Sequence, residues 1–169
     1  MFHELECIKY SNEGFKLASG GTSKYKVFCD PLFKNREARE ILCKRGYEMF
    51  QEIENGKTYD IVGIVTGGNE FAKMVAEIAK RDIISINPHT GDIKGKLVKN
   101  NVCYFDDIFT KGGTVLKCSA LLRQAYPYIE DEKARGIVDR CEGAVQNLGK
   151  ADIELRTILT VNDLGISIT

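Results

Sequence analysis

Val102-Cys103-Tyr104-Phe105-Asp106-Asp107-Ile108-Phe109-Thr110-Lys111-Gly112-Gly113-Thr114 decides how this chain is read. The apolar run over 101–105 predicts a buried strand that ends in two adjacent acids. A turn with Gly112-Gly113 at its centre follows, and a helix from Thr114 to Tyr126, which Pro127 ends. Strand, glycine-rich turn and helix start together form an anion cradle, because free N–H groups and the positive helix end both face the ligand. The glycines let backbone approach that ligand closely. Two carboxylates would repel a phosphate, so Asp106 and Asp107 suit sugar hydroxyls, or a divalent ion reached through them.

Working outward, apolar spacing predicts helices over 34–54 and 69–80, the first stopped by Asn55-Gly56 and the second capped by Asn69. Short apolar runs predict further strands at 60–65, 82–86, 136–139 and 154–161. Residues 87–100 read as a loop or small hairpin. From residue 60 on, strands mostly alternate with helices, which predicts an α/β fold: a doubly wound parallel sheet with helices on both faces. Residues 1–33 do not follow this alternation and read as an irregular cap, a small N-terminal hood. With no linker-like tract, 1–169 reads as a single domain. In such sheets the ligand lies beyond the carboxyl ends of the strands, so Thr66-Gly67-Gly68, Asn87-Pro88-His89, Asp106-Asp107 and Asp139-Arg140 matter most.

The 169 residues carry 24 Lys+Arg against 24 Asp+Glu, a balance that argues against nucleic-acid binding. No apolar run approaches the ~18 residues of a membrane span, and MFHELECIKY is too polar for a signal peptide. The expected setting is the cytoplasm, with no membrane partner. Six scattered cysteines without a CxxC pair, and only two histidines, argue against a zinc cluster or disulfide framework. Most of these cysteines read as small buried apolar residues.

The 102–114 stretch resembles the phosphoribosyl-diphosphate motif of type I phosphoribosyltransferases: a hydrophobic run, two acids, two variable residues, Thr, one residue, then Gly-Gly-Thr/Ser. That resemblance implies the fold of that family, with Asp106 and Asp107 on the ribose hydroxyls. It gives the 5′-phosphate to Thr110, Lys111, Gly112, Gly113 and Thr114. Other segments resemble the orotate branch. These are Phe15-Lys-Leu-Ala-Ser-Gly-Gly-Thr-Ser23, Val138-Asp-Arg-Cys-Glu-Gly-Ala144 and Ile158-Leu-Thr-Val-Asn-Asp-Leu164. They imply substrate-binding roles for Ser19 and Arg140, with Arg140 near the base. Gly63-Ile-Val-Thr-Gly-Gly68 falls at the family's diphosphate loop, which implies Thr66, Gly67 and Gly68 as ligands and a non-proline cis peptide near Val65-Thr66. Mg2+ reached through the substrate near Asp106 and Asp107, and a homodimer, are implied likewise.

The match departs from the branch at its cations. Asn87-Pro88 stands where an Arg-Lys pair is expected, and the following loop is short. His89 is the remnant of the loop histidine, which implies a catalytic role for it beside Asp106 and Asp107, and Ala18 replaces a base-side lysine. Substitute cations could come from Lys94, Lys96, Lys111 or a neighbouring subunit. The favoured activity is transfer of ribose 5-phosphate from phosphoribosyl diphosphate to a nucleobase, orotate first. The alternatives are another base, or a non-catalytic phosphoribosyl diphosphate or nucleotide-binding regulator of the same fold.

Overall fold

The computed structural model describes residues 1–16 and 21–166. Strands β1 (Ile8–Lys16) and β2 (Thr22–Val27) come first, then helices α1 (Asp30–Lys34) and α2 (Arg36–Ile53). The chain continues through β3 (Asp60–Ile64), α3 (Gly67–Ala79), β4 (Ile83–Ile86), β5 (Ile93–Lys94) and β6 (Asn101–Phe109). It closes with α4 (Gly113–Ala125), β7 (Asp131–Asp139), α5 (Ala144–Gly149) and β8 (Glu154–Thr160). The central sheet has the order β5-β4-β3-β6-β7-β8, parallel except for the two-residue edge strand β5.

Alternation along β3 and β6 divides the core. Ile61, Cys103 and Phe105 face α2 and α3, while Val62, Ile64, Val102 and Tyr104 face α4 and α5. Helices therefore cover both faces, as read from the sequence. Asn35 caps α2 by accepting the Ala38 N–H at 3.0 Å.

Helices α2 and α3 meet at Gly46, where an added Cβ would lie 2.7 Å from both Phe71 Cε2 and Val75 Cγ2. Gly46→Ala gains about 1 kcal/mol of helix propensity, but overpacking this contact costs about 1–3 kcal/mol. The clash wins, because Phe71 is locked edge-on against Phe105 at 5.5 Å and cannot turn away. A lower urea midpoint with an unaltered m-value is the expected result.

Several elements differ from the sequence reading. The hood is not irregular: β1 and β2 form an antiparallel hairpin with Tyr10 opposite Tyr25 and a register shift between Tyr10 and Phe15. Helix α3 starts at Gly67, two residues before the expected start, so Asn69 is not its cap. Asn69 Oδ1 instead accepts the Ser85 hydroxyl at 2.6 Å, tying α3 to β4. Strand β6 runs on to Phe109, because β7 pairs with it beyond the end of β3. Strand β7 begins at Asp131 rather than 136, and α5 was not foreseen. The 87–100 segment supplies the turn and the return strand β5 of a small hairpin whose other strand is β4. Cys7, Cys29, Cys103 and Cys118 are buried, Cys43 is partly so, and Cys141 is exposed. No described helix is long and apolar enough to cross a membrane.

Candidate active site

Three strand ends build the site. Strand β3 pairs with β6 up to Gly63 opposite Phe105, and β6 then extends beyond it against β7. Asp106 and Asp107 therefore lie inside the projecting end of β6, not after it. The peptide bond Val65-Thr66 is cis, at the position that the resemblance implies. Thr66, exposed, is the residue before α3, whose first turn is Gly67-Gly68. The first N–H groups of a helix have no partner within it, so this turn offers donors at the sheet end.

The glycines are set by β6. A Cβ on Gly67 would overlap the Asp107 carboxylate, and even its farther oxygen, Oδ1, would be only 2.8 Å away. A Cβ on Gly68 would run into the Phe105 carbonyl and lie 2.7 Å from Asp106 Cα. The expected diphosphate loop and the expected ribose acids are thus in direct contact.

Both acids are half-buried. Burial, and then the neighbouring Asp107, pushes the Asp106 carboxyl well above the usual carboxylate range. Burial likewise raises Asp107. The Asp107 N–H donates to Asp106 Oδ1 and the Ile108 N–H to Asp107 Oδ1, each at 3.0 Å. Such a pair resists holding two negative charges until a cation or several hydroxyl donors reach it.

The phosphate turn follows directly. Gly112 has φ +78° and a Cβ there would lie 2.8 Å from Leu148 Cγ, so glycine is demanded on two counts. Asn147 of α5 donates to the Lys111 carbonyl at 3.0 Å and steadies the turn from outside. Thr110 is half-buried, while Lys111, Gly113 and Thr114 are exposed at the start of α4. The cradle is open to solvent where an anion would enter.

Arg140 follows β7 and is only 4 % exposed. Its Nη2 donates to Ser23 Oγ at 3.0 Å, and its Cζ lies 4.5 Å from the Tyr25 ring centroid. The hood hairpin therefore closes onto the β7 end of the sheet. Tyr25 is the residue that the sequence reading missed. Its signal was the alternation of Ser23, Tyr25 and Val27 with the exposed Thr22, Lys24 and Lys26. Ser19, read as a substrate-binding residue, and Ala18 lie outside the described residues.

The β4–β5 connection explains the missing cations. Asn87 Oδ1 accepts the N–H groups of His89 at 2.9 Å and Thr90 at 3.3 Å. The Asn87 N–H reaches Asp92 O at 2.9 Å, and the Gly91 N–H reaches Asn87 O at 2.8 Å. Asn87 thus organises a tight turn and is not a substitute ligand. His89 is exposed on that turn, at the carboxyl end of β4. Lys96 lines a cleft with Asp60, Ile83 and Lys99, at the amino ends of β3 and β4, the wrong end of the sheet for the diphosphate. Lys94 lies on β5, paired with Ser85. Of the three candidate lysines, Lys111 alone stands in the phosphate turn.

No group of three or more His, Cys, Asp or Glu that could hold a metal occurs among the described residues. The donor set fits Mg2+ carried with the substrate, since that ion is commonly held by one or two carboxylates together with phosphate oxygens.

No family model matches the chain. Its sequence is similar to several curated proteins named orotate phosphoribosyltransferase. That of Methanosphaera stadtmanae is 30 % identical over 175 residues, covering 96 % of this chain and 92 % of the relative. That of Sulfolobus acidocaldarius is 32 % identical over 161 residues, covering 89 % and 77 %. The fold is similar to the crystal structure of orotate phosphoribosyltransferase from Aeropyrum pernix, with TM-score 0.84, 22 % identity and coverage of 98 % and 97 %. Likeness at this identity, sustained along most of the length of both chains, makes the kinship plain: the chain belongs to the orotate phosphoribosyltransferase family.

Proposed function

We propose that the chain transfers ribose 5-phosphate from phosphoribosyl diphosphate to orotate, giving orotidine 5′-monophosphate in pyrimidine synthesis. The observation that carries this reading is the Asp107 carboxylate seated against Gly67, which joins a sugar-binding acid pair to an anion-binding turn. Asp106 and Asp107 hold the ribose hydroxyls, and residues 110–114 hold the 5′-phosphate. Thr66, Gly67 and Gly68 hold the diphosphate through backbone N–H groups. Arg140 meets the acidic base, and His89 stands on the diphosphate side.

As the C1–diphosphate bond breaks, positive charge grows on the sugar and negative charge on the leaving group. The half-buried acid pair lies on the sugar side, where its charge opposes the first. Asp106 and Asp107 would hold Mg2+ through the substrate, and the ion would supply charge to oppose the second. Of the candidate lysines, Lys111 alone stands on the phosphate side. The reading includes a single domain, a homodimer and a cytoplasmic setting.

A spectrophotometric assay with orotate, phosphoribosyl diphosphate and Mg2+ tests it. Orotate consumption that stops with a chelator and returns with Mg2+ is the expected result. Tight binding of phosphoribosyl diphosphate without turnover of any base would overturn catalysis and leave a binding protein.

A further inference from the structure

Arg140 is held on three sides before any base arrives. Ser23 Oγ donates to the Tyr25 carbonyl at 2.8 Å and accepts the Tyr25 N–H at 3.3 Å, which leaves a lone pair for Arg140 Nη2 at 3.0 Å. Glu142 Oε1 lies 2.9 Å from Nε, close enough for an ion pair but not aligned for a hydrogen bond. The Tyr25 ring supports the guanidinium at 4.5 Å. The Arg140 backbone is itself fixed, its N–H donating to Phe109 O at 2.9 Å. The Cys141 N–H donates to Asp139 Oδ1 at 2.8 Å. Among the described residues no acceptor takes the Nη1 protons. The guanidinium thus has one supported face and one spare edge.

We propose that Tyr25 is a positioning residue for recognition of the base: its ring sets the plane of Arg140 so that the spare edge meets a carboxylate on the base. This rests on the orotate reading. A free arginine side chain loses much rotamer freedom when it binds a carboxylate. A planar cation already stacked on an aromatic ring loses less. Tyr25 can serve as that platform because it is itself anchored. It pairs across the hairpin with Tyr10 and packs against the buried core beside Val27. The support reaches Arg140 from a segment 117 residues away in sequence, so the placement of the hood tunes the base side without touching the sugar-phosphate side.

Tyr25→Leu and Tyr25→Phe, made in the full chain, test this with orotate and phosphoribosyl diphosphate varied separately. Tyr25→Leu is expected to raise KM for orotate about tenfold, the scale of a lost cation–π support. KM for phosphoribosyl diphosphate stays within about twofold, and Tyr25→Phe, which keeps the ring, stays near wild type in both. Unfolding midpoints of both variants are recorded alongside. An unaltered orotate KM in Tyr25→Leu, or an equal rise in both KM values, would overturn the positioning role while leaving the orotate reading intact. A wild-type protein that does not consume orotate would overturn both.

Discussion

Asp107→Asn is expected to weaken binding of phosphoribosyl diphosphate by about 10- to 100-fold, the worth of a hydrogen bond to a charged group. It is also expected to raise the thermal midpoint of the unliganded protein. The second effect follows from burial, which raises both carboxyls of the pair, with Asp106 pushed further by its neighbour's charge. A group whose folded pKa lies above its unfolded value binds more protons in the folded state. Stability then falls as pH rises from the usual carboxylate pKa towards the raised one. Asn removes one acid and the repulsion with it, so the variant's advantage is absent in acid and grows through that window. Calorimetric titration with phosphoribosyl diphosphate and melts at about pH 4 and pH 8 check both halves. Wild-type affinity in the variant would remove Asp107 from the ribose site. A variant less stable than wild type at the higher pH would show that the acid pair is no burden to the fold.

Opposite signs on binding and stability also explain which parts of this protein could be read from its sequence. At the acid pair the local signals agreed: an apolar strand, then charges, then glycines. Strand β7 gave the contrary signal. Its first half, Asp131-Glu-Lys-Ala-Arg135, looks like a solvated loop, yet Glu132 is 3 % and Arg135 0 % exposed. The two buried charges are matched mainly by partners on other elements. Tyr104 Oη donates to Glu132 at 2.8 Å and Arg123 Nε donates to it at 2.7 Å. Arg135 donates to Met49 O at 3.0 Å and to Glu154 Oε1 at 3.0 Å. Periodicity within one segment cannot reveal such compensation, because burial of a charge is decided by its distant partners. Helix α3 was misjudged for a related reason. Gly67-Gly68 has poor helix propensity, and glycine stands there for contacts with β6 that the local sequence does not show: a Cβ would meet the Asp107 carboxylate at Gly67 and the Phe105 carbonyl at Gly68. The hairpin nature of the hood was hidden by the register shift, which interrupts the alternation of β1.

Those two glycines should separate the chemistry from the fold. In Gly67→Ala the added methyl meets a side chain, the Asp107 carboxylate, which can rotate away. The expected loss of stability is below about 1 kcal/mol, while turnover falls at least about 100-fold because the carboxylate is driven off the ribose. In Gly68→Ala the methyl meets backbone, the Phe105 carbonyl and Asp106 Cα, where β6 passes the end of β3. Neither can yield without moving β6 or α3, so the cost is about 3 kcal/mol or more and activity is lost with the fold. Urea unfolding of the two variants, run beside the orotate assay, distinguishes them. Equal destabilisation of both would mean that Asp107 is wedged and cannot turn. Full activity in Gly67→Ala would mean that the carboxylate position seen against Gly67 is not the one used on the sugar.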